Sequence, residues 1–142
     1  MTYLLDTNVI SETVRPVPNI NVMTWLDAVD EDRVFLSVIT FAEIREGIER
    51  LPEGQRRQRL ADWLADELPA RFEGRVIVVE RQIAETWGQM MVRSRRLGAN
   101  LSAMDAFFAA TAEARHLILV THNMQDFAKL GIPLLDPWNT RP

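Results

Sequence analysis

The chain has 142 residues, 47% of them hydrophobic and 25% charged, which is close to the commonest domain size and too apolar for a disordered segment. It carries no cysteine, which excludes disulfides and thiolate metal sites, and no stretch approaches the ~18 apolar residues of a membrane span. Its net charge of −4 weighs against a basic, DNA-coating surface, but not against a nucleic-acid enzyme, because a metal site itself gathers acids.

One domain over residues 1–142 is the default reading. The N-terminus lacks a basic region followed by an apolar stretch, so no signal peptide is expected and the default location is cytoplasmic. Lys129 is the only lysine among 16 basic residues. Arginine suits phosphate contacts through its planar fork, although a compositional bias explains the count equally well.

In chain order, residues 2–5 read as a first strand that stops at Asp6. Residues 8–18 read as a loop or irregular helical turn, because Pro16 and Pro18 prevent a clean helix. Asn19 or Asn21 caps a helix over 20–30, with Ile20, Met23 and Leu26 on its apolar face and Trp25 beside them. Residues 33–37 form a second strand. A helix follows from Thr40 to Leu51, broken by Pro52 and Gly54, then another from Gln55 to Leu68. The β-branched run 75–79 predicts a buried third strand. Helices over 81–97 and 102–115 follow, the second packing Ala106, Phe107, Ala109 and Ala110 inward. Residues 117–120 form a fourth strand, 123–129 a short helical turn, and 132–135 an edge strand compatible with Pro133. The residues after Trp138 are expected to fray. Strands alternating with helices predict a parallel sheet covered on both faces, an α/β/α sandwich of four to five strands. No linker, low-complexity tract or repeat interrupts it.

Such a sheet collects the carboxyl ends of its strands along one edge, where open α/β folds bind ligands. Asp6 ends the first strand; Glu43 and Asp105 lie near helix starts; Asn123 and Asp126 follow the fourth strand. Thr40-Phe41-Ala42-Glu43 and Ser102-Ala103-Met104-Asp105 both match a capping box, so helix capping competes with metal binding at Glu43 and Asp105. Asp6 is the acid least explained by capping, and for Thr7 and Asn8 a helix-start cap competes with positioning a ligand. Three converging carboxylates repel one another unless protonated or metal-bound, and hard oxygen donors select Mg²⁺ or Mn²⁺. His116 reads as a helix-end residue, and His122 lies beside the fourth strand's end; neither builds a zinc cage.

Leu5-Asp6-Thr7-Asn8-Val9-Ile10-Ser11-Glu12 resembles the opening motif of PIN-domain proteins. Residues 37–44, 105–112 and 119–127 resemble the family's later acidic segments, and 133–138 its closing segment. The likeness covers nearly the whole chain and is nearest the VapC and FitB toxin branch. It implies an α/β/α fold and Mg²⁺-dependent ribonuclease activity, with Mn²⁺ an alternative ion. Asp6, Glu43 and Asp105 are implied metal ligands. Asp126 is read as outer-sphere or second-metal support and Asn123 as its hydrogen-bonding neighbour. Implied partners are an RNA substrate, a small antitoxin, operator DNA through the antitoxin complex, and a second copy in a homodimer. A groove near Met23, Trp25 and Trp63 is one place for an antitoxin helix, with core packing the competing account. Arg93, Arg95 and Arg96 are candidates for guiding phosphates, or a solvated helix end. Two rival classes remain: a catalytically inactive module that binds RNA or a protein, and a phosphate-receiving signalling domain, which needs a cation such as Lys129 beside the acid.

Overall fold

The computed structural model describes residues 1–139; of the residues after Trp138 expected to fray, Asn139 bonds to Asp136, and 140–142 lie outside the described residues. Five parallel strands form one sheet: β1 Tyr3–Leu5, β2 Val34–Ser37, β3 Val76–Ile77, β4 Ile118–Val120 and β5 Leu134–Leu135. Their order is β3-β2-β1-β4-β5, with Leu4 opposite both Phe35 and Leu119. The chain therefore winds outward from β1 on one side and then on the other. The order reverses between β1 and β4, the kind of switch point at whose carboxyl ends open α/β sheets bind ligands.

Successive residues of a strand face opposite sides of a sheet, and β1 uses this to nucleate two cores. Leu4 and Leu5 are both fully buried. Leu4 packs with Met90, Phe108, Leu119 and Phe127 beneath α6 (Arg81–Arg96), α7 (Ala103–Arg115) and α8 (Met124–Phe127). Leu5 packs with Val9, Ile10, Val22, Leu36, Leu68 and Phe72 beneath α1 (Thr7–Glu12), α2 (Ile20–Ala28), α3 (Val38–Arg50), α4 (Gln55–Asp62) and α5 (Leu68–Arg71). The three-layer α/β/α sandwich read from the strand–helix alternation is the architecture found.

Several local expectations are corrected. The 8–18 segment begins with a helix, α1, because the two prolines fall after its end and Asp6 caps its start. Glu12 then tethers the proline-bearing loop: buried to 4% exposure, it accepts the Asn19 N–H at 2.8 Å and pairs with Arg15. Asn19, not Asn21, caps α2, and Ile20 is 73% exposed while Val22 and Leu26 face the core. The predicted third strand shrinks to Val76–Ile77, half-buried at the sheet edge, with Val78 exposed. In α7 Phe108 rather than Phe107 is the fully buried ring; Phe107 stacks on Trp87 with centroids 5.1 Å apart.

The helix expected over 55–68 continues to Arg71 but contains a π-helical turn at Trp63–Glu67. Pro69 supplies the cause: it has no N–H for the regular ladder, and the Leu68 N–H reaches back to the Trp63 carbonyl instead. The wider turn leaves Leu64 and Leu68 both buried.

Candidate active site

Asp6 sits at the reversal point of the sheet. Its N–H donates to the Val120 carbonyl at 2.8 Å, fixing the ends of β1 and β4 together. Its carboxylate then turns onto α1: Oδ1 accepts the Thr7 N–H at 2.7 Å, so the acid expected to be least involved in capping is the N-cap of α1. Oδ2 accepts the Thr121 hydroxyl at 2.8 Å and the Asn8 amide at 3.4 Å. The side chain is only 5% exposed. Burial pushes its pKa up to about 6, the Thr121 and Thr7 bonds opposing, and the charges of Asp105 and Glu43 adding to the rise.

Glu43 does not occupy a capping box. Ser37 caps α3 by accepting the Ile39 N–H at 3.0 Å, so the helix starts two residues before Thr40 and Glu43 falls in its second turn. Glu43 accepts the Thr7 hydroxyl at 2.6 Å. Thr7 thus joins two acids, its amide on Asp6 and its hydroxyl on Glu43, while the buried Thr40 hydroxyl lies 3.2 Å from its own. Burial raises the Glu43 pKa, Thr7 opposes, and Asp105 and Glu46 add to the rise.

Asp105 occupies the first turn of α7, where Ser102 accepts its N–H at 3.1 Å. The cap is therefore supplied by serine, and burial raises the Asp105 pKa, Ser102 opposing and Asp126 adding to the rise. Asp126 is exposed in α8 and accepts the Asn123 amide at 2.8 Å, the pairing expected of them. Asn123 in turn donates its N–H to the Thr121 hydroxyl oxygen at 3.0 Å. Thr121, fully buried, therefore links the Asp126 arm to Asp6; the sequence reading gave it no role.

The charges of Asp6, Glu43 and Asp105 act on one another, and those of Asp105 and Asp126 likewise, so the four predicted acids share one neighbourhood. Among the described residues no three acidic or histidine side chains close into a ready-made cage. An open set of carboxylate oxygens fits an ion such as Mg²⁺, which keeps several of its waters and needs few direct protein ligands. Burial and mutual repulsion disfavour the ionised form of these carboxyls.

A groove of about 290 Å³ runs from Thr7 and Glu43 along Ile44, Ile48 and Leu60 to Trp63 and Arg56. It adjoins a second hollow of about 530 Å³ that shares Val14, Arg56, Leu60 and Trp63. Trp63 thus lines a groove as expected, but Met23 and Trp25 line neither; they pack on the Leu5 core, Trp25 edge-on to Tyr3 at 5.3 Å. Arg93 is taken up by Glu113 at 2.7 Å and the Leu130 carbonyl, leaving Arg95 and Arg96 as the exposed arginines of that turn. Lys129 donates to the Gly98 carbonyl at 3.3 Å, on a loop rather than an acid, which disfavours the phosphate-receiver reading. His116 is the left-handed residue ending α7, and His122 stands at the site's rim, its N–H 3.4 Å from Asn8 Oδ1.

The sequence profile of the PIN domain matches residues 3–133. Three curated relatives are similar over almost their full length. The plasmid stability protein StbB of Pseudomonas syringae pv. tomato is 36% identical, covering 95% of this chain and 97% of that one. The toxin FitB of Neisseria gonorrhoeae is 35% identical over 96% and 98% of the two chains. The VapC ribonuclease Y4jK of Sinorhizobium fredii is 32% identical over 95% and 96%. Among solved structures, one of FitAB bound to an IR36 DNA fragment superposes with a TM-score of 0.91 at 32% identity, covering 99% of both chains.

Proposed function

The chain belongs to the PIN-domain family, and from that membership we propose that it is an endoribonuclease dependent on a divalent cation and the toxin half of a toxin–antitoxin pair. The observation that carries this reading is the meeting of Asp6 and Glu43 on the two hydrogen-bonding groups of Thr7, within the field of Asp105. Folding spends stability to hold these carboxyls close, and a cation is what makes that arrangement useful.

Asp6, Glu43 and Asp105 would hold Mg²⁺ or Mn²⁺, with Asp126 as outer support. When bound, such an ion supplies positive charge for the oxyanions that develop in phosphodiester hydrolysis and acidifies water. The chain's own residues prepare the site. Thr7 and Thr121 fix the orientation of Asp6 from two sides, and Asn123 holds Asp126. The burial of Asp6 beneath α1 keeps competing water from its carboxylate.

The purified chain is expected to cleave single-stranded RNA with Mg²⁺, to lose cleavage in EDTA, and to lose it by ~100-fold or more in Asp105→Asn. Mapped RNA ends are the readout. Undiminished cleavage in Asp105→Asn, or none by the wild type, would sink the reading; cation binding without cleavage would favour the inactive RNA- or protein-binding module.

The relative solved as FitAB on DNA points to the partner class, a small antitoxin through which operator DNA is reached. The Ile44–Ile48–Leu60–Trp63 groove suits the apolar face of an antitoxin helix, and it leads to carboxylates that an arginine can pair with bidentately. Coexpression with a small antitoxin encoded beside this chain is expected to give a stable complex with little ribonuclease activity. Trp63→Asp is expected to release the antitoxin; retention of the complex would move the interface elsewhere.

A further inference from the structure

Beside the acids stands an aromatic pair that the metal chemistry does not use. The His122 imidazole lies on the Trp138 indole, ring centroids 4.2 Å apart and planes 31° from parallel. The His122 side chain is nevertheless 55% exposed, so one face rests on tryptophan while the ring remains open to solvent. Asp136 and Asn21 anchor the pair. Asp136, only 11% exposed at its side chain, lies 3.5 Å from His122 Nδ1 and accepts the Trp138 N–H at 3.0 Å. The Trp138 carbonyl accepts the Asn21 amide at 2.8 Å, tying the Trp138 backbone to α2. The pair is therefore held in one orientation before any ligand arrives.

Its position is the second observation. The His122 N–H faces Asn8 Oδ1, and the Asn8 amide donates to Asp6 Oδ2. Thr121, the neighbour of His122, donates to that same oxygen. One residue thus separates the platform from the carboxylate at the centre of the site. An exposed, pre-oriented ring beside a phosphodiester-cleaving centre has the properties of a nucleobase platform: every base has a π-face, and stacking needs no particular hydrogen-bond pattern.

Resting on the ribonuclease reading above, we propose that the exposed face of His122, backed by Trp138, stacks a base of the RNA strand next to the phosphodiester that a cation on the acids would take. The ring acts by contact with the substrate base, its Nδ1 edge being turned to Asp136.

The test uses the full chain in two arms. In the first, the protein in EDTA, where RNA is not cut, is titrated with a single-stranded oligoribonucleotide while the ring protons of its two histidines are followed by NMR. The His122 ring protons are expected to move upfield as a base stacks on them. His116, which precedes β4 where His122 follows it, is expected to stay unmoved. An oligonucleotide with abasic sugars is expected to move neither. In the second arm, His122→Ala is expected to raise KM for RNA about 5- to 100-fold with little change in kcat, and His122→Phe to restore it. Wild-type KM in His122→Ala, or ring shifts equal for the abasic strand, overturns the platform while leaving the ribonuclease reading in place. Rescue by His122→Lys but not by His122→Phe also overturns it, in favour of a phosphate contact. A wild type that cuts no RNA removes the ribonuclease reading, and the NMR arm then decides the platform by itself.

Discussion

Asp6→Asn is expected to abolish RNA cleavage and, in the absence of divalent ions, to make the protein more stable. The two effects share one cause. The Asp6 carboxyl is nearly inaccessible to solvent, and its pKa stands at about 6 against an ordinary 3.8, desolvation being the largest contribution. A group raised in this way favours the folded state below its unfolded pKa and loses that contribution as pH climbs through the folded one. The metal-free wild type should therefore lose stability between about pH 4 and 6 and level off above. The full shift corresponds to about 3 kcal/mol at ~1.36 kcal/mol per unit. Asparagine carries no charge to desolvate. Its oxygen can still accept the Thr7 N–H and its amide can donate to the Thr121 oxygen, so the mutant keeps most of the local bonds. In EDTA at pH 8 its melting temperature should exceed that of the wild type by several degrees, with no difference near pH 4. Saturating Mg²⁺ should close or reverse the gap, because binding to the native state adds ~2.7 kcal/mol at a hundredfold excess over Kd, and only the wild type retains the full ligand set. Cleavage should fall by at least ~100-fold. Thermal melts across pH, with and without Mg²⁺, check the first part. A mutant no more stable than the wild type at pH 8 in EDTA would show that the burial of Asp6 carries no cost.

The layers of this fold were legible in the sequence because each strand ends at a sharp change of character. Leu4-Leu5 stops at Asp6 and Leu119-Val120 at Thr121, and both runs are buried on both faces as a continuous apolar pattern predicts. The topological placement of the acids followed from strand order alone. What the pattern could not carry was the choice among hydrogen-bond donors. Thr40-Phe41-Ala42-Glu43 has a capping spacing, but Ser37 lies three residues earlier and captures the helix start, so Glu43 is released to meet Thr7. Asp6 looked free of capping because the prolines at 16 and 18 argued against a helix after it; a helix of six residues fits before them. The β-branched run 75–79 promised a full strand, but β3 pairs with only Leu36 and Ser37 of β2, and Arg75 turns its guanidinium to the Val34 and Arg71 carbonyls over the Phe72 ring. Thr121 could have been flagged by position, since a small hydroxyl residue directly after a buried strand and beside the central one is placed to touch whatever ends that central strand. The likeness to the PIN family implied which of these acids to bring together as a site, while the capping alternatives were decided by geometry.

Thr121→Val is expected to cut turnover by about 10- to 100-fold with all four acids left in place, because the hydroxyl performs two tasks that a methyl cannot. It donates to Asp6 Oδ2 at 2.8 Å, opposing the rise in the Asp6 pKa, and it accepts the Asn123 N–H that positions the partner of Asp126. Valine matches threonine in shape, so the fully buried site should remain packed while one oxygen of Asp6 and one backbone N–H lose partners. A hydrogen bond to a charged acceptor is worth ~1.5–3 kcal/mol and one to a neutral acceptor nearer ~1 kcal/mol. The cost of the substitution should therefore grow with pH: modest at pH 5, where metal-free Asp6 is largely protonated, and larger at pH 8, where the unpaired oxygen belongs to a carboxylate. The same logic moves the acid limb of the pH–kcat profile to higher pH, since Asp6 then ionises later. Thr121→Ser restores the hydroxyl and should return both the profile and the stability close to wild type. Denaturant melts at the two pH values, together with pH–rate curves for the valine and serine variants, check this directly. A pH-independent destabilisation in Thr121→Val would mean that Thr121 supports the backbone of the β4 end and leaves the charge of Asp6 unaffected.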